Sequence, residues 1–381
     1  MANKINALFI YNPLDLNAEI KGGVQICSQE FLEIIKHTVD DLYYFEVTYS
    51  RSLIFRLFHK FNFDLYQSYS VNKYRKNLLS ILLANDITHV FINKAELIKF
   101  SLLIKKADLP TIPRVIIMSH GNESGDLLGD LSGKTAKFKG VLKYLGILKL
   151  GIVVFLESWY RKRFVDLVCT MSEEESSIEK WLGINATFFI PRLIHQDDMV
   201  ARKPKINVFG YVGTLSHTPN FIAFNDLCVE IAKSNFSPEI RLVGQPIEIG
   251  ENFAKKHLFV KYLGPLSDAD LLAEVKSWSY FINPIFNYSR GASMKLAKAI
   301  EWQIPVITTK AGRRGYLLDS EKLIETENTP KAMANAIRNQ LNISNAGYEV
   351  LQKNIERIKK DSLTAKDLGS RLKHAVSKLN D

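Results

Sequence analysis

Residues Phe281 to Tyr316 read FINPIFNYSRGASMKLAKAIEWQIPVITTKAGRRGY. Phe281–Phe286 reads as a buried strand, Asn287–Ser293 as a loop, Met294–Trp302 as a helix, and Val306–Thr309 as a second apolar strand. In that order the first amides of the helix point back at the loop, where the positive end of the helix dipole favours an anion. Arg290 and Lys295 bracket the helix start, so a diphosphate would find two formal charges beside Gly291, Ser293 and Met294. An ordinary βαβ crossover with solvated charges gives the same pattern when this stretch is taken alone.

Outside this stretch, 381 residues exceed one typical domain, and an apolar content of 46% is enough for two cores. The formal charge of +10 points to an anionic partner. Residues 1–200 hold 24 basic and 22 acidic side chains, and residues 201–381 hold 26 and 18, so the excess lies in the second half. Like charges form no dominant block, and no nucleic-acid partner is expected. Cys27, Cys169 and Cys228 are odd in number and widely spaced, as reduced core residues would be. Met1–Ile10 lacks a signal-peptide layout, and the uninterrupted apolar run Leu150–Leu156 is too short to cross a bilayer. A cytoplasmic protein is expected, with the inner face of the plasma membrane as a peripheral contact.

Short continuous apolar runs recur at Ile5–Tyr11, Thr88–Ile92, Arg114–Met118, Asp166–Met171 and Thr187–Ile190. Strands of that texture are covered on both faces and belong to parallel sheets. The polar stretch His195–Lys205 reads as a linker. A second series follows at Ile206–Val212, Ile240–Val243, Leu258–Tyr262, Tyr280–Ile285, Val306–Thr309 and Leu323–Glu325, with helical patterns between them. The expectation is an α/β chain of two Rossmann-like, doubly wound domains, 1–200 and 201–350, facing across a cleft, with a helical tail at 351–381 that packs back on the first.

Glycine or proline closes one strand after another in the second half: Gly213 in YVGTLSHTPN, Gly244 in LVGQP, Gly264 in YLGPL and Pro284 in FINPIF. Gly213 lets a backbone approach a ligand closely, and Thr214 and the amides after it can donate to a phosphate or sugar. A plain turn followed by an N-cap is the equal alternative for that loop.

These motifs in this order resemble the donor-binding domain of family-4-type retaining glycosyltransferases, the glycosyl transferases group 1 of B-type fold. The resemblance covers roughly residues 206–316; the first half agrees in layout, through Gly22-Gly23, His120-Gly121 and DLVCTMSEEE. It implies a nucleotide-sugar donor held by the second domain, a glycan or lipid-linked acceptor met by the first, and neither cofactor nor metal. By similarity, Gly213 and Thr214 approach the diphosphate or sugar and Lys295 neutralises phosphate. Leu263 and Gly264 line the base, and Gly23 and Gly244 border the donor. The family commonly carries two glutamates separated by seven residues. Counting back from Pro305, those places hold Arg290 and Lys298. Glu301 is the nearest acid and lies on almost the same helix face as Lys298. It either replaces the missing carboxylate in holding donor hydroxyls or is a solvated helix residue.

In the first half, IMSHGNESGD places His120 and Asn122 just after a strand. The resemblance supports His120 as catalytic, together with Lys295 and Arg290; a loop imidazole bonded to backbone is the alternative. Asn122 is expected among the acceptor contacts. The segment Lys134–Phe164 mixes eight basic residues with one acid and a long aliphatic stretch, and Arg51–Phe61 is a shorter version. Each reads either as an interfacial helix on an anionic membrane or as a core helix with a lysine-rich outer face. The function expected is transfer of a sugar to an acceptor hydroxyl in bacterial surface polysaccharide or lipopolysaccharide synthesis. The alternatives are a catalytically silent binding subunit, for which Arg290 and Lys298 speak, and a sugar-nucleotide epimerase.

Overall fold

The computed structural model describes residues 4–17, 19, 22–60, 66, 68–132, 140–196, 201–234, 236–287 and 291–380. They form two compact units. The first has a six-stranded parallel sheet of β1 (Asn6–Tyr11), β2 (Asp41–Glu46), β3 (His89–Asn93), β4 (Arg114–Met118), β5 (Leu167–Thr170) and β6 (Thr187–Phe189). Its order is β2-β1-β3-β4-β5-β6. Leu8, Phe9 and Ile10 are wholly buried, as are Val90, Phe91 and Ile92, because helices cover both faces of these central strands. Strand β2, DLYYFE, is half-exposed at the sheet edge. It is absent from the sequence reading although Leu42–Phe45 is a continuous apolar run.

The second unit repeats the architecture with β7 (Val208–Val212), β8 (Glu239–Val243), β9 (Val260–Gly264), β10 (Tyr280–Asn283), β11 (Val306–Thr309) and β12 (Ile324–Thr326). All neighbours are parallel, in the order β12-β11-β10-β7-β8-β9. Both sheets are therefore Rossmann-like and doubly wound. Strand order reverses beside the first strand of each, between β1 and β3 and between β7 and β10. In such sheets a ligand sits outside the carboxyl ends of the strands at the reversal.

The first unit runs through Pro191 and takes up the chain again at Ala365; the second spans Arg192–Tyr288 and Ala292–Thr364. Helix Asn345–Asp361 belongs to the second unit, since Ile355 and Ile358 share a core with Trp302. Helix Ala365–Ser377 belongs to the first, where it packs on helix Gly23–Lys36. Thr38 Oγ1 donates to the Gly369 carbonyl at 3.3 Å, and a Cβ at Gly369 would lie 2.4 Å from His37 Cβ. The sequence boundaries at 200 and 351 thus differ from those of the fold, because Ile194, before the first, and Ile355 and Ile358, after the second, bury apolar surface in the second core. The linker stretch His195–Lys205 lies partly outside the described residues.

Candidate functional site

In the second unit the strand-end loops are laced together by backbone. Gly213 N–H donates to the Val243 carbonyl (3.0 Å), and Gly244 N–H to the Gly264 carbonyl (3.2 Å). A Cβ at Gly244 would stand 1.9 Å from Gly213 O, so only glycine fits. A Cβ at Gly213 would stand 3.3 Å from Lys295 Nζ. The lysine therefore lies against the end of β7, at the switch point. Lys295 is the second residue of helix Met294–Glu301. Its Nζ donates to Asn220 Oδ1 (2.7 Å) and Tyr211 OH (3.1 Å) and sits 4.8 Å from the centre of the Tyr211 ring.

These partners are neutral. No carboxylate pairs with Lys295 among the described residues. Desolvation lowers its ammonium from the ordinary value of 10.5 to about 7. An anion placed there would supply the missing counter-charge.

The helix start is held from a distance. Ser293, its N-cap, turns its hydroxyl to Asn283 Oδ1 (3.1 Å) instead of capping the helix. Asn283, buried at the end of β10, donates in turn to Thr308 Oγ1 (3.1 Å) and the Gly312 carbonyl (3.3 Å). Tyr316 OH inserts into the first turn: it accepts from Ala297 N–H (3.0 Å) and donates to the Ser293 carbonyl. The Arg192 guanidinium reaches the Met294 sulfur.

Thr214 is exposed, and its carbonyl accepts from Asn220 Nδ2 (3.1 Å) and His217 N–H (3.3 Å), shaping the turn before helix Thr218–Lys233. Leu263 packs on the second core. Gly264 has φ of +79°. Gly291, with φ of +73°, counts with the first unit, where its N–H donates to Glu175 Oε1 (2.6 Å). Arg290 lies outside the described residues.

Glu301 corrects both of its expected roles. It is 1% exposed, so it is not a solvated residue. Its Oε1 accepts from His195 N–H (3.1 Å) and its Oε2 pairs with Lys298 Nζ (2.6 Å), which turns the carboxylate inward rather than to a donor hydroxyl. Lys359 Nζ donates to the Glu301 carbonyl at 2.9 Å.

In the first unit, His120 Nε2 lies 3.1 Å from Asn93 Oδ1 and 3.5 Å from Ser28 Oγ, with the ring edge-on to Phe31. Gly23 begins helix Gly23–Lys36 and is exposed. Asn122 departs from the acceptor role. It is buried, and its amide donates to Glu179 Oε1 (2.8 Å), which also accepts from Arg161 (2.9 Å). At 3% exposure, with one amide N–H committed to that ion pair, the side chain presents little surface to a ligand.

On helix Val141–Phe164, Leu142, Tyr144, Leu145, Ile147, Leu148 and Phe155 are exposed. On helix Leu53–Lys60, Leu53, Ile54, Leu57 and Phe58 are exposed. Both outer faces are apolar, against the reading of core helices with lysine-rich outer faces. Lys139 and the start of the longer segment lie outside the described residues. No helix among the described residues is long and apolar enough to cross a membrane.

Sequence reasoning missed Tyr211, Asn220 and Asn283. A polar residue ending an apolar strand, as in FIN, was a usable signal for Asn283; the role of Tyr211 requires the packing of Lys295 against it.

Residues 206–342 match the family described as glycosyl transferases group 1. No curated protein sequence matches. Among solved structures, the chain is similar to sucrose-phosphate synthase from Thermosynechococcus elongatus (14% identity, 99% of each chain, TM-score 0.66). It is also similar to HepE of Anabaena in complex with UDP (14% identity, 98% of this chain and 100% of that one, TM-score 0.63). A third is the lipopolysaccharide outer core galactosyltransferase WaaB (13% identity, 98% and 99%, TM-score 0.60). At these identities the likeness establishes the fold, which is the B-type glycosyltransferase fold.

Proposed function

We propose that this chain, of B-type glycosyltransferase fold and with its second unit matching the glycosyl transferases group 1, moves a sugar from a nucleotide-sugar to an acceptor hydroxyl. One observation carries the reading: Lys295 lies against Gly213 at the switch point of the second unit, and its hydrogen-bond partners among the described residues are neutral. A leaving diphosphate develops negative charge as the glycosidic bond breaks, and a cation fixed where that charge develops lowers the barrier. The start of helix Met294–Glu301 adds backbone donors to the same place. No metal is invoked, and the configuration at the anomeric carbon is retained. HepE has been captured with UDP and glucose, which supports a donor of that class. WaaB is by its name a lipopolysaccharide galactosyltransferase, which supports a surface-glycan acceptor. His120, oriented by Asn93, is assigned to the reacting sugar.

The test is release of nucleoside diphosphate from a panel of nucleotide-sugars, with and without lipid-linked and free glycan acceptors. Acceptor-dependent release supports transfer. Binding without release identifies a silent subunit, and an isomerised nucleotide-sugar without any acceptor identifies an epimerase.

The exposed apolar faces of helices Val141–Phe164 and Leu53–Lys60 favour a peripheral anchor on an anionic cytoplasmic leaflet. Lys143, Arg56 and Lys60 would meet the headgroups beside buried leucines. Salt-sensitive binding to phosphatidylglycerol vesicles that is lost in Leu145→Asp/Leu148→Asp supports this, and equal binding to neutral vesicles opposes it.

A further inference from the structure

The switch point of the first unit carries a group of residues that the donor chemistry does not use. Lys94, directly after β3, places Nζ 3.1 Å from Asp15 Oδ1 and 3.6 Å from Glu96 Oε2. Asp15 belongs to the short helix Pro13–Leu16 that follows β1. The ion pair therefore joins the chain at the carboxyl ends of the two strands where the sheet order reverses. Asp15 is 4% exposed, and its Oδ2 has no hydrogen-bond partner among the described residues. A buried carboxylate oxygen left in that state is costly and calls for a donor.

Lys94 itself has φ of +77°, a conformation that strains a side-chain-bearing residue and tends to mark ligand sites. Next to the pair, Asn12 Nδ2 donates to Tyr69 OH (3.0 Å). Tyr49, 41% exposed, stacks on the buried Tyr69 with ring centres 5.0 Å apart and planes 25° apart. Asn12 in turn accepts from Asp15 N–H through its carbonyl (2.8 Å), so Tyr49, Tyr69, Asn12 and Asp15 form one run of contacts that joins the ring to the ion pair.

The chemistry of this locus selects a ligand class. Its one cation among the described residues, Lys94, is already matched by two carboxylates, so an anionic group would meet net repulsion. It offers an orphaned acceptor for a hydroxyl and an exposed aromatic ring for the C–H face of a sugar. We propose that Asp15, Lys94 and Tyr49 bind the acceptor through a neutral sugar ring, whose hydroxyl donates to Asp15 Oδ2 and whose apolar face lies on Tyr49. This deepens the transfer reading by naming the acceptor class, and it rests on that reading only for the word acceptor.

The experiment is saturation-transfer NMR on the full chain with neutral methyl hexosides and their uronic acid and 6-phosphate counterparts at millimolar concentration. At least one neutral glycoside is expected to bind, its affinity falling about tenfold or more in Asp15→Asn and in Tyr49→Ala. Tyr49→Phe, which keeps the ring, is expected to retain binding, and Lys295→Met is expected to leave it unchanged. Binding of no neutral glycoside, preference for the charged counterparts, or binding indifferent to Asp15→Asn and Tyr49→Ala in folded protein would overturn the proposal. Nucleotide-sugar binding measured on the same samples separates the two readings. Donor binding without the glycoside site defeats this inference alone, and a glycoside site without donor binding defeats the transfer reading alone.

Discussion

The strand beside β1 ends in Phe91-Ile92-Asn93 and the strand beside β7 ends in Phe281-Ile282-Asn283, with both asparagines wholly buried at a switch point. What they hold differs. Asn93 receives His120 and donates to Ser28 (3.0 Å), whereas Asn283 receives Ser293 and ties it to Thr308 and Gly312. The lysines differ more: Lys94 is paired with Asp15 and Glu96, and Lys295 with neutral oxygens and a ring. One framework, used twice, leaves a satisfied cation in the first unit and an unsatisfied one in the second. The charge state of the lysine, rather than the topology, separates a place suited to a neutral ligand from one suited to a diphosphate.

The comparison breaks if the two lysines respond alike to Lys→Met. Lys94→Met strands the buried carboxylate of Asp15 and should lower unfolding stability by about 3 kcal/mol in denaturant titrations. Lys295→Met strands no charge and deprives only the neutral acceptors Asn220 Oδ1 and Tyr211 OH of a donor, so its stability loss should be the smaller, about 1 kcal/mol, while nucleotide-sugar affinity measured by calorimetry falls by roughly 1.5–3 kcal/mol. Equal stability losses would show that both lysines are structural.

A smaller effect sharpens it. Asn93→Ala and Asn283→Ala should each cost about 1–2 kcal/mol of stability. Only Asn283→Ala should weaken nucleotide-sugar binding, because it frees the Ser293 cap, and Asn93→Ala should lower turnover by releasing His120. A swap of these phenotypes would reverse the roles given to the two units.

The pH dependence isolates Lys295, whose ammonium titrates at about 7 in the free protein. A nucleotide-sugar keeps its phosphodiester charges through that range, so it holds the proton on the lysine. Affinity should be full below about 7 and fall by about tenfold per pH unit above it. Stability follows the opposite sign. Between about 7 and 10.5 the unfolded chain keeps a proton that the folded chain has lost, so this lysine makes stability rise with pH there. Lys295→Met should remove both slopes, and an unchanged affinity profile in that variant would move the titration elsewhere.

Continuous apolar runs made eleven of the twelve strands legible, with Arg114–Met118 and Val306–Thr309 read to the residue. The twelfth, β2, was passed over although Leu42–Phe45 runs apolar without a break between Asp41 and Glu46. Strand-end glycines announced the second unit's loops, since a backbone approach such as Gly244 to Gly213 leaves no room for anything else. Glu301 was illegible for the opposite reason. Its surroundings come from His195 and Lys359, far away in the chain, and a helix pattern cannot say which distant amide will fill a carboxylate. Asn122 was misread because its partner, Glu179, is a residue that composition alone places in water.

Tyr316 gives the second unit an unusual hydrogen-exchange reporter. In an ordinary helix the Ala297 amide would be released by fraying of the first turn, but here its acceptor is a side-chain hydroxyl from beyond β11. Fraying is not enough to expose this amide to solvent deuterium. It exchanges when Tyr316 withdraws, so its protection factor measures the opening of tertiary structure around the lysine-bearing turn, while the neighbouring amides measure helix unwinding. Two rates read from adjacent residues would then give the separate lifetimes of the seat and of the helix that carries it.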